Sequence, residues 1–210
     1  VGIIAEIKRS SPSTGLLNED VDIESLSIGY MQAGASALSV LTDEKYFQGS
    51  NKDLEEARKY NYCPILRKDF MIDPYQVLEA KSIGADCILL IARILTPEQC
   101  VELAGFARQL NLEVLLEVHS REEIQSHLNE HINVIGVNNR NLDTFTTDIN
   151  HSIELAPFLP SNLIHISESG IHSADQIQRL KEHGYQGFLI GGYFMKQLRP
   201  ARACMNLIKD

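Results

Sequence analysis

The feature that most constrains this chain is an eight-fold alternation. Short, nearly continuous apolar runs at residues 2–7, 37–41, 64–66, 87–91, 113–118, 133–137, 163–166 and 187–190 are each followed by a longer amphipathic stretch. Those stretches fall at 23–33, 52–60, 74–82, 97–110, 121–128, 149–156, 174–183 and 201–208. Apolar residues on both faces of a run predict a parallel strand covered on both sides. Strands alternating with helices predict right-handed crossovers in a parallel sheet. Asp73 before Pro74 and Thr96 before Pro97 read as helix caps followed by proline in the first turn. Gly34-Ala35-Ser36-Ala37 and Gly84-Ala85-Asp86-Cys87 look like a weak repeat, best read as two helix C-caps leading into strands. Eight strand–helix units in 210 residues suit a closed (β/α)8 barrel better than an open doubly wound sheet. The first strand is not followed by G-x-G-x-x-G, which lowers the case for a dinucleotide-binding fold. The expectation is one α/β barrel domain spanning residues 1–210.

Composition narrows the function. Hydrophobic residues make up 44% and charged residues 22%, enough for a filled core. The formal net charge of −9 argues against a nucleic-acid or membrane-surface binder, while leaving room for a locally positive anion site. The sequence has no apolar run of about 18 residues, and its first residues carry no signal-peptide pattern. Cys63, Cys87, Cys100 and Cys204 lack CxxC spacing. They read as reduced thiols, mostly buried, in a cytoplasmic protein.

In a barrel of this kind, chemistry sits where strands end and loops begin. Polar residues accumulate at those ends. The first strand closes with Glu6 and Lys8, whose period-2 spacing puts both on one face; the third closes with Arg67-Lys68-Asp69. The fifth carries Glu117 and then His119, the sixth ends in Asn138-Asn139-Arg140, and the seventh in Ser167-Glu168-Ser169-Gly170. Singly each has a bland reading: an ion pair for Glu6 and Lys8, a solvated cation for Lys68, a turn for Asn138, a helix cap for His119. Five strands converging polar groups on one mouth point to acid–base work, because buried charges are costly unless paired or used. Ser169-Gly170 after the seventh strand and Gly191-Gly192 after the eighth predict a phosphate site built from backbone N–H groups.

The runs IAEIKRSSPS (4–13), LRKDF (66–70), LLEVH (115–119), GVNNRNL (136–142), SESGI (167–171) and LIGGYFM (189–195) together resemble the indole-3-glycerol phosphate synthase family, in order and over essentially the whole chain. The resemblance implies a lyase of tryptophan biosynthesis. It closes the indole ring of 1-(2-carboxyphenylamino)-1-deoxyribulose 5-phosphate with loss of CO2 and water, using neither a metal nor an organic cofactor. It implies Lys68 as general acid and Glu117 as its partner and proton acceptor, with Glu6, Lys8, Asn138 and Glu168 completing the polar set. Ser11, Arg140, Ser169, Gly170, Gly191 and Gly192, together with Lys8, match substrate-binding positions. Pro12, Phe70, Leu89 and Leu142 match the apolar wall for the aromatic ring. The implied partner is a small sugar-phosphate substrate, with association with other tryptophan-pathway enzymes an arrangement open to such a protein. Which lysine serves which step stays open.

Two departures from the family pattern stand out. Only five residues precede Glu6, so the helical extension that family members carry ahead of the first strand is absent from this sequence, and weaker substrate affinity is expected. Gly191-Gly192-Tyr193 stands where the family often has a hydroxyl or carboxylate residue after the first glycine, so a phosphate ligand is lost while backbone donors remain. Two rival readings are a barrel isomerase of the phosphoribosylanthranilate type and a non-catalytic phosphate-binding barrel. The isomerase would need a cysteine near the end of the first strand, where this chain has Glu6-Ile7-Lys8.

Overall fold

Alternation along each strand sends one set of side chains into the barrel and the other toward the helices. In β1 (Gly2–Ile7), Ile3, Ala5 and Ile7 join the large core beneath the helices, whereas Ile4 packs inside the barrel and Glu6 points to its mouth. The computed structural model describes residues 2–13, 15–18 and 21–209. It is a closed eight-stranded barrel. The further strands are β2 (Ala37–Leu41), β3 (Ile65–Lys68), β4 (Cys87–Ile91), β5 (Glu113–Val118), β6 (Val134–Asn138), β7 (Ile164–Glu168) and β8 (Gly187–Ile190). Each pairs in parallel with its sequence neighbour, and β1 pairs with both β2 and β8 to close the ring.

Helices α1 (Ile23–Gln32), α2 (Asn51–Tyr60), α3 (Pro74–Ser82), α4 (Pro97–Gln109), α5 (Arg121–His127), α6 (Asn150–Leu155), α7 (Ala174–Glu182) and α8 (Pro200–Lys209) follow the strands in turn. Asp73 and Thr96 cap α3 and α4 as expected, each in a capping box closed by Gln76 or Gln99. Gly34 and Gly84 adopt φ of 99° and 94° just past α1 and α3, so the apparent repeat is C-cap chemistry. A dry cluster of Leu66, Leu89, Ile91, Leu115, Ile166 and Leu189 fills the barrel below the mouth. Among the described residues no helix is long and apolar enough to cross a membrane.

Several boundaries differ from expectation for one reason. β3, β6 and β7 run on to Lys68, Asn138 and Glu168, past the apolar residues that define them in the sequence. The ladder continues through these residues, with Lys68 opposite Leu41 and Asn138 opposite Glu168, because each polar side chain finds a partner at the mouth. Two short helices, Glu44–Phe47 and Gly192–Met195, and a small antiparallel pairing of Ser10–Ser11 with Gly15–Leu16 decorate loops that sequence periodicity leaves blank. The four cysteines are free, but only Cys100 and Cys204 are buried; Cys63 and Cys87 are half-buried.

Candidate active site

The strand ends surround a cavity of about 560 Å³ at the C-terminal mouth. Glu6, Lys8, Lys68, Glu117, Asn138 and Glu168 all line it, and so do Ser11, Pro12, Phe70, Leu89, Arg140, Leu142, Ser169, Gly170, Gly191 and Gly192. The structure therefore brings into one space every residue to which the family resemblance gives a catalytic or substrate-binding place, while Arg67, His119 and Asn139 stay outside its lining.

The floor is an ion network. Lys68 Nζ donates to Glu117 Oε2 at 3.0 Å and to Glu168 Oε2 at 2.6 Å. Asn138 Nδ2 donates to the other Glu117 oxygen at 2.9 Å, and Asn138 Oδ1 accepts from the Arg140 main chain at 3.0 Å. Glu6 pairs with Lys8 at 2.5 Å and accepts from Ser39 Oγ at 3.4 Å. Glu6, Glu117 and Glu168 are almost fully buried. Such burial is tolerable only because cations and amides face the carboxylates.

Two inward glycines make room. A Cβ at Gly136 would overlap Glu168 Oε1, and one at Gly191 would lie 2.5 Å from Glu6 Oε1. Side chains at these positions would displace the two carboxylates.

The network splits the ionisation of its members. Burial works against a charge on Lys68, but Glu117, Glu168 and Glu6 outweigh it and hold the ammonium above the ordinary lysine range. Burial would raise Glu117, yet Lys68, His119 and Asn138 bring it below the usual carboxylate value. Glu168 shares Lys68 but faces Glu117 and Glu6, so burial and like charge push it up to about 7. At neutral pH the mouth therefore holds a firm ammonium, a firm carboxylate and a carboxyl near its midpoint. That is a set able to give and take protons.

Ser169 and Gly170 turn with φ of 71° and 75°, and Asn139 Nδ2 fixes the Ser169 carbonyl at 3.1 Å. Gly191 leads into the short helix Gly192–Met195. A Cβ at Gly192 would meet no atom within 4 Å beyond its chain neighbours. Across the mouth lies an apolar wall. Its aromatic part includes Phe47, whose ring centroid is 6.2 Å from that of Phe70.

Sequence reading missed several neighbours. Phe47, Phe145, His172, Tyr193 and Lys196 line the cavity from loops and a short helix; their only signal was proximity to a strand end. Lys68 was expected to face Glu117 and was not paired with Glu168, 100 residues away. His119 does not cap α5 with its side chain. Ser120 Oγ caps it, accepting from the Glu123 main chain, and the His119 ring lies between Glu117 and Glu123. Among the described residues, no group of three or more His, Cys, Asp or Glu side chains is arranged to hold a metal ion.

Comparison with known proteins adds to this geometry. The family model described as indole-3-glycerol phosphate synthase matches residues 1–207. The chain is 51% identical over 208 residues to the indole-3-glycerol phosphate synthase of Bacteroides thetaiotaomicron, covering 99% of this chain and 80% of that protein. It is 42% identical over 207 residues to the protein of the same name from Bordetella pertussis, covering 99% and 79%. A solved 3-hexulose-6-phosphate synthase superposes with a TM-score of 0.76 at 12% identity, covering 99% of this chain and 98% of that one, a likeness of fold.

Proposed function

The chain belongs to the indole-3-glycerol phosphate synthase family, and on that premise we propose how the residues of its barrel mouth divide the work. The reaction is the decarboxylating and dehydrating closure of 1-(2-carboxyphenylamino)-1-deoxyribulose 5-phosphate to indole-3-glycerol phosphate, a lyase step of tryptophan biosynthesis. The isomerase alternative is not favoured, since Glu6 and Lys8 occupy the strand end where its cysteine would stand.

Closure needs an electrophilic carbonyl. Lys68, held protonated by three carboxylates, donates a proton to the carbonyl oxygen. The ring carbon bearing the carboxylate attacks, and CO2 leaves as that carbon regains aromaticity. The new hydroxyl then departs as water after taking a proton. Glu117, ionised and 3.0 Å from Lys68, takes the proton released from the carbon next to nitrogen as the indole forms. Glu6 and Asn138 position Lys8 and Glu117, and Lys8 clamps the substrate carboxylate. Phosphate sits against Ser169-Gly170 and Gly191-Gly192. The aromatic ring packs on Pro12, Phe70, Leu89 and Leu142, with Phe47 extending that wall. The four unpaired thiols support a reducing, cytoplasmic setting.

The observation that carries this reading is Lys68 held between Glu117 and Glu168 on the cavity floor. The test is turnover followed by product indole fluorescence, which a chain without tryptophan does not obscure. Lys68→Met is expected to lower kcat by roughly 10²–10⁴-fold with the circular dichroism spectrum unchanged. A variant keeping most of the wild-type rate would remove Lys68 from the mechanism.

A further inference from the structure

The proposed chemistry has a proton imbalance. Protons go to the carbonyl oxygen and to the departing hydroxyl, one returns from carbon, and CO2 leaves neutral. Each turnover therefore takes one proton from solvent. The site must be reloaded with that proton before the next turnover, and a route that does not cross the cavity allows this while product still fills the mouth.

Such a route is built behind β5. The two oxygens of Glu117 face opposite ways: Oε2 lies 3.0 Å from Lys68 Nζ, while Oε1 lies 3.7 Å from His119 Nε2. The other ring nitrogen, Nδ1, lies 3.7 Å from Glu123 Oε2. Neither His119 nor Glu123 lines the cavity. Both nitrogens of the His119 ring are buried without a hydrogen-bond partner. Its side chain is 9% exposed, against 17% for Glu123, so the path opens toward solvent at Glu123.

A buried imidazole with two unpaired nitrogens is costly in a merely structural role. Here each nitrogen faces a carboxylate. The gaps exceed hydrogen-bond length by about 0.7 Å, as is common before substrate tightens a site. The backbone on either side is fixed. The His119 N–H donates to Glu123 Oε2 at 2.6 Å, and the His119 carbonyl lies 2.9 Å from His151 Nε2 on α6. The other polar groups bearing on the path are Asn138 and Lys68 at Glu117, and Arg93, whose charge acts on Glu123.

We propose that Glu123 and His119 form a proton-supply path from solvent to Glu117 and Lys68. The proposal rests on Lys68 and Glu117 being the acid–base pair. Solvent protonates the Glu123 carboxylate. Its O–H bond breaks as Nδ1–H forms, and Nε2–H breaks as an O–H forms on Glu117 Oε1. Rotation of the carboxyl about Cγ–Cδ then presents that proton to the Lys68 amine left after donation to substrate. A turn of the ring toward solvent, where Nδ1 gives up its proton as Nε2 takes one, restores the Nε2–H tautomer. His119 and Glu123 thus act through Glu117 and touch no substrate.

The test compares a single turnover, with enzyme in excess, against steady state, in His119→Asn and Glu123→Gln. The second variant keeps an acceptor for the His119 N–H, so the local fold is preserved. A site already loaded with protons completes its first turnover near the wild-type rate in both. Steady-state kcat is expected to fall roughly ten-fold or more, less than the loss of a direct acid–base group, and to recover as imidazole buffer concentration rises. Unchanged kcat in both variants would overturn the path. So would an equal loss in the first turnover that no buffer restores, because that is the signature of a residue that only positions Glu117. Glu117→Gln serves as the separate control. If it leaves the first turnover intact, the acid–base reading itself fails, whatever the His119 variants do.

Discussion

Replacing Glu168 by glutamine should change how the stability of this protein depends on pH. Glu168 is buried, shares Lys68 with Glu117, and is pushed from 4.5 up to about 7 by burial and by the charges of Glu117 and Glu6. Between those two values the folded chain holds a proton on Glu168 that the unfolded chain has released. Stability therefore falls as pH rises through this window. A displacement of about 2.5 units, at about 1.4 kcal/mol per unit, amounts to roughly 3 kcal/mol. The neighbours do not blur the effect. The lowered Glu117 contributes below 4.5 and the raised Lys68 above 10.5. Glu168→Gln keeps the shape and removes the titration, so it should match wild type near pH 4.5 and exceed it by roughly 3 kcal/mol above pH 7. With urea slopes of about 1–3 kcal/mol per molar, the unfolding midpoints should separate by about 1–3 M. Urea titrations followed by far-ultraviolet circular dichroism at several pH values measure this directly. Parallel stability curves for the two proteins across the window would show that Glu168 ionises normally and refute the reasoning.

Three further outcomes follow from the site. Glu117→Gln should lower kcat strongly with little change in KM, the pattern of a role confined to the transition state. Glu6→Gln should disturb both constants, because it frees Lys8; a raised KM at unchanged kcat in Glu117→Gln would mean that Glu117 only binds substrate. Gly192→Ser adds a hydroxyl at a position where a Cβ meets no atom within 4 Å beyond its chain neighbours, so calorimetry should find tighter binding of inorganic phosphate. Unchanged affinity would place the anion away from Gly192.

The barrel was legible because its strands need apolar residues on both faces, and such runs recur eight times. Strand ends were less legible. The sequence stops looking like a strand at Leu66, Val137 and Ile166, yet the ladder runs on to Lys68, Asn138 and Glu168. Polarity marks the end of an apolar run; it does not mark the end of hydrogen bonding. Period-2 alternation still held: Lys68 lies on the inward side with Leu66, and Glu168 with Ile166. The site residues could be named because each sits at a strand end. The pairing of Lys68 with Glu168 could not be read, because it joins strands that are not neighbours in the ring. Phe47, at the end of a one-turn helix, and Phe145, in a loop, were out of reach for a different reason, since no periodicity governs where such short segments fold back.

His119 shows how a local reading goes astray. A histidine between a strand and a helix invites the reading of a cap, and the cap is the neighbouring Ser120. Capping needs a short side chain that can turn back onto the first N–H groups of the helix, and serine meets that need. The imidazole is then free to lie against the two carboxylates that strand and helix present at its sides. Glu117 faces inward from β5 by strand period, and Glu123 comes from the first turn of α5. Three residues two to four apart in sequence thus span from the cavity floor to the outer layer of the barrel. The loop that ends the strand therefore adds, through His119, to the hold that Lys68 has on the ionised Glu117 carboxylate.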